Sequence, residues 1–126
     1  MIFKNILLVG LGGGLGSIAR FLCQKYIYAW YQHPFPFGTF IVNILGCFLI
    51  GVFYALSEKG NILTPEWRLF LTTGICGGFT TFSSFAYENV SLLKSGDFLY
   101  FGLYTAGSVF LGIVATFGGI ALLKLI

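Results

Sequence analysis

Charged residues are scarce in this chain. Only 9% of its 126 residues are Asp, Glu, Lys or Arg, with seven basic and four acidic side chains, whereas soluble domains carry about 25%. A soluble globular domain is therefore excluded, because most of the surface must face something other than water. Intrinsic disorder is excluded as well, since 57% of the residues are hydrophobic and disorder requires few apolar residues.

Residues that carry enzymatic or metal chemistry are equally sparse. The three cysteines, Cys23, Cys47 and Cys76, have no metal-ligand spacing, and His33 is the only histidine. No nucleophile with a neighbouring base is visible, so we predict that the chain is not an enzyme. The net charge of +3 forms no basic block, which argues against a nucleic-acid partner.

Long apolar runs are what the sequence does contain. There are four of them, at 5–24, 38–56, 69–87 and 98–123, and only the first contains a charge, at Arg20. Since a helix needs roughly 20 apolar residues to cross a bilayer, residues 1–126 are predicted to form a single four-span membrane domain. The fold class is an all-α integral membrane protein, embedded in a lipid bilayer. Thr64, followed by Pro65, is a predicted N-cap at the start of the third span.

The first span is rich in glycine. Gly10 and Gly14 form one GxxxG pattern, and Gly12 and Gly16 form another. Such spacing lets the backbone of a neighbouring helix approach closely, so both pairs are predicted to lie at helix–helix contacts.

The middle of the third span is poorly suited to a regular helix. It reads GGFTTFSSF, from Gly77 to Phe85, with two adjacent glycines and four hydroxyl residues. Irregular backbone at membrane depth persists only when it is buried in protein or lines a polar cavity. Broken helices of this kind expose carbonyl groups that bind cations, so we predict a helix break with an ion-binding or pore-lining role.

Polar side chains recur at intervals of four residues in two other spans. Thr39 and Asn43 share one face of the second span, and Tyr104, Ser108 and Gly112 share one face of the fourth. These residues either hold helices together or mark an ion path. Phe82 and Phe85 share a face beside the hydroxyls, and the positive edges of their rings would suit a small, hard anion.

The basic residues do not determine an orientation. An even number of spans places Lys4, Lys59, Arg68 and Lys124 on one side of the membrane, and Arg20, Lys25 and Lys94 on the other. Four charges against three is a weak bias under the positive-inside rule. The chain is therefore predicted either to insert in both orientations and pair as an inverted dimer, or to be held in one orientation by a local effect.

Three stretches together resemble one family. GGFTTFSSF, GTFIVNILG around Asn43, and GSIARF in the first span are similar to the Fluc (CrcB) family of bacterial fluoride channels. The resemblance implies an antiparallel, dual-topology homodimer in the bacterial inner membrane with two fluoride pores. It also implies passive export of cytoplasmic fluoride, which confers fluoride resistance.

The resemblance assigns roles to individual residues. It places Phe82, Phe85, Asn43, Thr39, Ser84, Tyr104 and Ser108 along the fluoride pore, and Arg20 and Glu88 at its vestibule or mouth. It further implies that backbone carbonyls of Gly77 and Thr80, from both subunits, hold a structural sodium ion (Na+). Gly112 departs from the serine or threonine expected next along the polar track.

Two other interpretations remain open from the residues alone. A small dual-topology multidrug transporter would need a carboxylate in its first span, and this span has none. A membrane assembly subunit would leave the break in the third span unexplained.

Overall fold

The computed structural model describes residues 1–60 and 62–125, and its regular structure is helical. The elements are α1 (Ile2–Trp30), α2 (Phe37–Glu58), a composite third crossing over Pro65–Lys94, and α6 (Phe98–Lys124). These four helices are long and apolar enough to cross a membrane, and each extends beyond the apolar run that predicts it.

The third crossing is built from four helical pieces. These are α3 (Pro65–Leu69), a π-helical segment (Phe70–Cys76), the single turn α4 (Gly77–Phe79), and α5 (Phe82–Lys94). The predicted N-cap is confirmed, because Thr64 Oγ1 accepts a hydrogen bond from the Trp67 N–H at 3.2 Å. The π-helical segment was not predicted.

The third crossing is interrupted at Thr80 and Thr81, whose backbones are extended (φ −83°, ψ 157° and φ −149°, ψ 117°). This pair is hereafter the break. Its position agrees with the interruption predicted from the GGFTTFSSF stretch. A new helix can begin directly after it because Thr81 Oγ1 caps α5, accepting from the Ser84 N–H at 3.2 Å.

Glycines of α1 allow close contact with the third crossing, but only one of the two predicted pairs does so. A Cβ on Gly12 would lie 2.8 Å from Gly74 Cα, and one on Gly16 would lie 2.9 Å from the Phe79 nitrogen. Around Gly10 and Gly14, by contrast, no atom of another element in the described chain lies within 4 Å of such a Cβ. The prediction of a helix–helix contact was therefore wrong for Gly10 and Gly14 within one subunit.

Glycines also bring α2 and α6 together. A Cβ on Gly119 would lie 2.8 Å from the Val52 nitrogen, and one on Gly51 would lie 3.1 Å from the Thr116 carbonyl carbon. The two backbones thus approach closely near one end of both helices. This contact sets the register in which the polar faces of α2 and α6 oppose each other.

Candidate functional site

A cavity of about 340 Å³ opens beside the break. Its walls include Asn43 from α2, Phe82 and Phe85 from α5, and Ser108 from α6, together with Thr81 of the break. Among the described residues, its lining contains no charged side chain. We refer to it as the first cavity.

Asn43 holds the break in place. Its Oδ1 accepts from the Thr81 N–H at 2.8 Å, and its Nδ2 donates to the Thr81 carbonyl at 3.0 Å. Both backbone groups of an extended residue are thereby satisfied at membrane depth, where an unsatisfied group is costly. Asn43 therefore makes the interhelical hydrogen bond that was one of its two predicted roles, and it also lines the first cavity.

The predicted phenylalanine pair lines the first cavity. The Phe82 and Phe85 ring centroids are 5.6 Å apart at an interplanar angle of 44°. Phe85 also packs on Tyr104, with centroids 4.9 Å apart. Phe82 is 79% exposed while Tyr104 is fully buried, so the aromatic cluster runs from the protein surface into the bundle.

The Glu88 carboxylate accepts hydrogen bonds from hydroxyl groups on two other helices. Its Oε2 accepts from Thr39 Oγ1 and its Oε1 accepts from the Tyr104 hydroxyl, both at 2.8 Å. Gln24 of α1 in turn donates to Thr39 Oγ1 at 3.0 Å. In this geometry both hydroxyl protons point at the carboxylate, so either hydroxyl must leave Glu88 before it can donate to an anion.

A second cavity, of about 570 Å³, is lined in part by this cluster. Thr39, Ser84 and Glu88 line it, with Gln24 and Lys25 from the last third of α1. The predicted polar residues are thus divided: Asn43 and Ser108 face the first cavity, whereas Thr39 and Ser84 face the second.

Arg20 reaches the third crossing. Its Nε donates to the Gly78 carbonyl at 3.1 Å, and Ser17 Oγ lies 3.5 Å from the same oxygen. In an unbroken helix the Gly78 carbonyl would accept a hydrogen bond from the Phe82 N–H, four residues further along. Phe82 lies beyond the break, so Arg20 supplies the donor instead. Arg20 therefore stabilises the end of α4, and its place at a pore mouth stays a prediction.

Sequence reasoning missed three residues of this site. Gln24 and Ser17 lie on the same α1 face as Arg20, within one or two turns, and that spacing was the available signal. Thr81 was recognised as part of the break, but its capping role depends on which of two adjacent extended threonines is buried and directly precedes α5.

Comparison with known proteins identifies the family. Residues 7–120 match the family model described as CrcB-like protein, Camphor Resistance (CrcB). The chain belongs to the CrcB family. The resemblance drawn from the three sequence stretches is therefore confirmed.

Individual CrcB relatives align along almost the whole chain. A Flavobacterium psychrophilum protein is 48% identical over 121 residues, covering 96% of this chain and 98% of the relative. Proteins from Chlorobaculum tepidum (50% over 125 residues; 99% and 98% covered) and Phocaeicola vulgatus (53% over 117 residues; 93% and 96% covered) are also similar. All three relatives are named fluoride-specific ion channel FluC.

The comparisons also bear on the class of protein. Ion channels are not enzymes, which agrees with the absence of a catalytic pair in the sequence. Together with the four helices that can cross a membrane, they make this CrcB chain a multi-pass membrane protein.

Proposed function

We propose that this chain is a fluoride-specific channel that lets cytoplasmic fluoride leave a bacterial cell through the inner membrane by passive diffusion. The observation that carries the proposal is the first cavity, a neutral space between the helices bounded by aromatic rings, hydroxyls and an amide. Passage requires sites that bind the ion strongly enough to admit it and weakly enough to release it. Neutral donor groups in the cavity wall fit this requirement.

The fluoride path runs between the two cavities. It passes Phe82, Phe85, Asn43 and Ser108 in the first cavity, and then Tyr104 between the two. It continues past Thr39 and Ser84 to the second cavity, with Glu88 and Arg20 at the mouth. The contacts of Phe85 with Tyr104 and of Tyr104 with Glu88 support this order.

Purified protein in liposomes tests this function. Loaded vesicles are expected to release fluoride and to retain chloride, as followed with ion-selective electrodes. Protein-free vesicles are the control. Equal release of both anions, or no release of fluoride, would contradict the proposal. Either outcome would favour the multidrug-transporter or assembly-subunit interpretation instead.

The path is completed by a second copy of the chain. Phe82 is 79% exposed and Gly77, beside the break, is also exposed, although irregular backbone at membrane depth must be covered by protein or line a polar cavity. An inverted homodimer provides that cover.

The engaged cations leave the orientation undetermined. Arg20 is held by the Gly78 carbonyl and Lys59 Nζ donates to the Leu123 carbonyl at 2.7 Å. Both cations keep their charge because carbonyls are neutral, and with one of them on each side of the membrane the difference between the sides stays at a single charge. Both orientations are therefore accessible to the chain.

Labelling from both sides of the membrane tests the inverted dimer. With Cys23 and Cys76 replaced by alanine and Cys47 by serine, an added Ser95→Cys lies at an exposed position between α5 and α6. About half of the copies should react with an impermeant maleimide in intact cells, and the rest only after permeabilisation.

A charge-biased variant is the control for labelling. Glu58→Lys with Ile62→Lys adds positive charge at two exposed positions on one side, so Ser95→Cys should then react from one face and fluoride release should fall. One-sided labelling of the unbiased protein, with full fluoride release, would overturn the inverted dimer.

A sodium ion at the dimer centre is the proposed structural cofactor, held by the Gly77 and Thr80 carbonyls of both subunits. In a regular helix these carbonyls would accept from Thr81 and Ser84. The Thr81 N–H donates instead to Asn43, and the Ser84 N–H donates to Thr81 Oγ1. Both carbonyls therefore have acceptor capacity for a cation, and both residues line the first cavity.

Sodium is accordingly expected to stabilise the dimer by mass action. Above the dissociation constant, each tenfold rise in sodium should add about 1.4 kcal/mol to the free energy of unfolding. The measurement is thermal unfolding of detergent-solubilised dimer in sodium and in N-methylglucamine at equal ionic strength. Identical unfolding curves in the two salts would refute the sodium site.

A further inference from the structure

Two polar columns face each other across the α2–α6 contact. On α2, Thr39, Asn43 and Cys47 follow one another at intervals of four residues. On α6, Tyr104, Ser108 and Gly112 do the same. Residues four apart lie one above another on a helix, so the columns pair level by level.

The contacts confirm this pairing at each level. Thr39 and Tyr104 donate to the same Glu88 carboxylate. One turn on, Asn43 and Ser108 line the first cavity together. At the third level, Cys47 Sγ lies 3.4 Å from where a Cβ on residue 112 would be.

Beyond Ser108, the next two positions of the α6 column provide no free hydrogen-bond donor. Ser108 Oγ is the buried side-chain polar atom that lacks a hydrogen-bond partner in the described part of the chain. The next position is Gly112, which has no side chain. The Thr116 hydroxyl one turn further is committed to the Gly112 and Cys47 carbonyls, at 3.0 and 3.2 Å.

The Cys47 side chain is the group nearest to where a side chain at position 112 would begin. It lies beside residue 112, and it lines the first cavity with Ser108 and Asn43. A thiol is a weak donor with a polarizable sulfur, so it offers a passing anion a contact without trapping it. Cys23, on α1, is not among the residues that line this cavity.

We propose that the Cys47 thiol contacts the conducted ion, and that its S–H group takes over from the hydroxyl missing at Gly112. The inference rests on the fluoride path proposed above and adds a residue to it. Cys47 is thus a specificity-determining residue in this chain, and not merely a small apolar filler between α2 and α6.

Three variants test the donor role in the liposome assay. Cys47→Ala removes the donor and should slow fluoride release roughly tenfold, as expected for one lost hydrogen bond to a charged ion. Cys47→Ser keeps a donor and should remain within about twofold of wild type. Adding Gly112→Ser to Cys47→Ala should restore release, because loss of the sulfur leaves room for the serine at position 112.

Controls separate this inference from folding defects and from the proposed path itself. Cys23→Ala should release fluoride at the wild-type rate, and gel filtration should show each variant as the same species. If Cys47→Ala does not fold, Cys47→Thr and Cys47→Val form a second pair of similar size, of which only threonine has a donor. Threonine should then conduct faster.

Two results would overturn the role of Cys47. Equal rates for Cys47→Ala, Cys47→Ser and wild type would show that the thiol makes no contact with the ion. Equal losses in the alanine and serine variants would show a packing role. A Phe82→Ile, Phe85→Ile variant in the same assay identifies which hypothesis fails: if it is also fully active, the path is wrong, whereas if it is inactive, only the Cys47 inference is.

Discussion

Fluoride release is expected to fall by at least about tenfold when Phe82 and Phe85 are both replaced by isoleucine, a loss of about 1.4 kcal/mol at the transport barrier. Isoleucine keeps the apolar character of both positions but has no ring and therefore no positive edge toward an anion. Phe82 is 79% exposed in the subunit, so folding should change by less than about 1.5 kcal/mol. The measurement is the initial rate of fluoride release from liposomes.

Two other phenylalanines provide a matched control for this experiment. Phe110 and Phe117 on α6 are 66% and 69% exposed, and neither lines the first or the second cavity. Their double replacement by isoleucine removes the same groups from an exposed surface away from both cavities and should leave the rate unchanged. Wild-type release from the Phe82→Ile, Phe85→Ile protein would exclude a role of the ring edges.

A valine at position 16 is expected to destabilise the fold by about 3 kcal/mol or more, or to prevent folding. The new Cβ would lie 2.9 Å from the Phe79 nitrogen and 3.0 Å from the Ile75 carbonyl carbon. These are backbone atoms that cannot rotate away. The α1 contact with the third crossing must therefore open, and with it the support that α1 gives to the break.

Gly14→Val is the matched control, because it makes the same substitution in the same helix. In the described part of the chain no atom of another element lies within 4 Å of a Cβ at this position, so the subunit should tolerate it within about 0.5 kcal/mol. Thermal unfolding of the two purified variants gives the comparison. Equal destabilisation by both would mean that helix propensity, and not the close contact, makes glycine necessary.

The sequence by itself determined the crossings and the position of the break. Runs such as 38–56 and 98–123 are long enough to span a bilayer, and helix formation follows because lipid leaves backbone groups no other partner. The GGFTTFSSF stretch located the break for the same local reason, since adjacent glycines and threonines disfavour a helix. Both features depend only on the residues adjacent in the sequence, so the sequence alone predicts them.

Only the tertiary structure decided which residues meet. Asn43 binds Thr81 and Arg20 binds Gly78 across separations of 38 and 58 residues. These partners depend on how each helix is rotated and shifted along its neighbour, because a rotation of about 100° brings the next residue to the contact. Local periodicity therefore identified two glycine pairs in α1 without distinguishing Gly12 and Gly16, which pack, from Gly10 and Gly14, which do not.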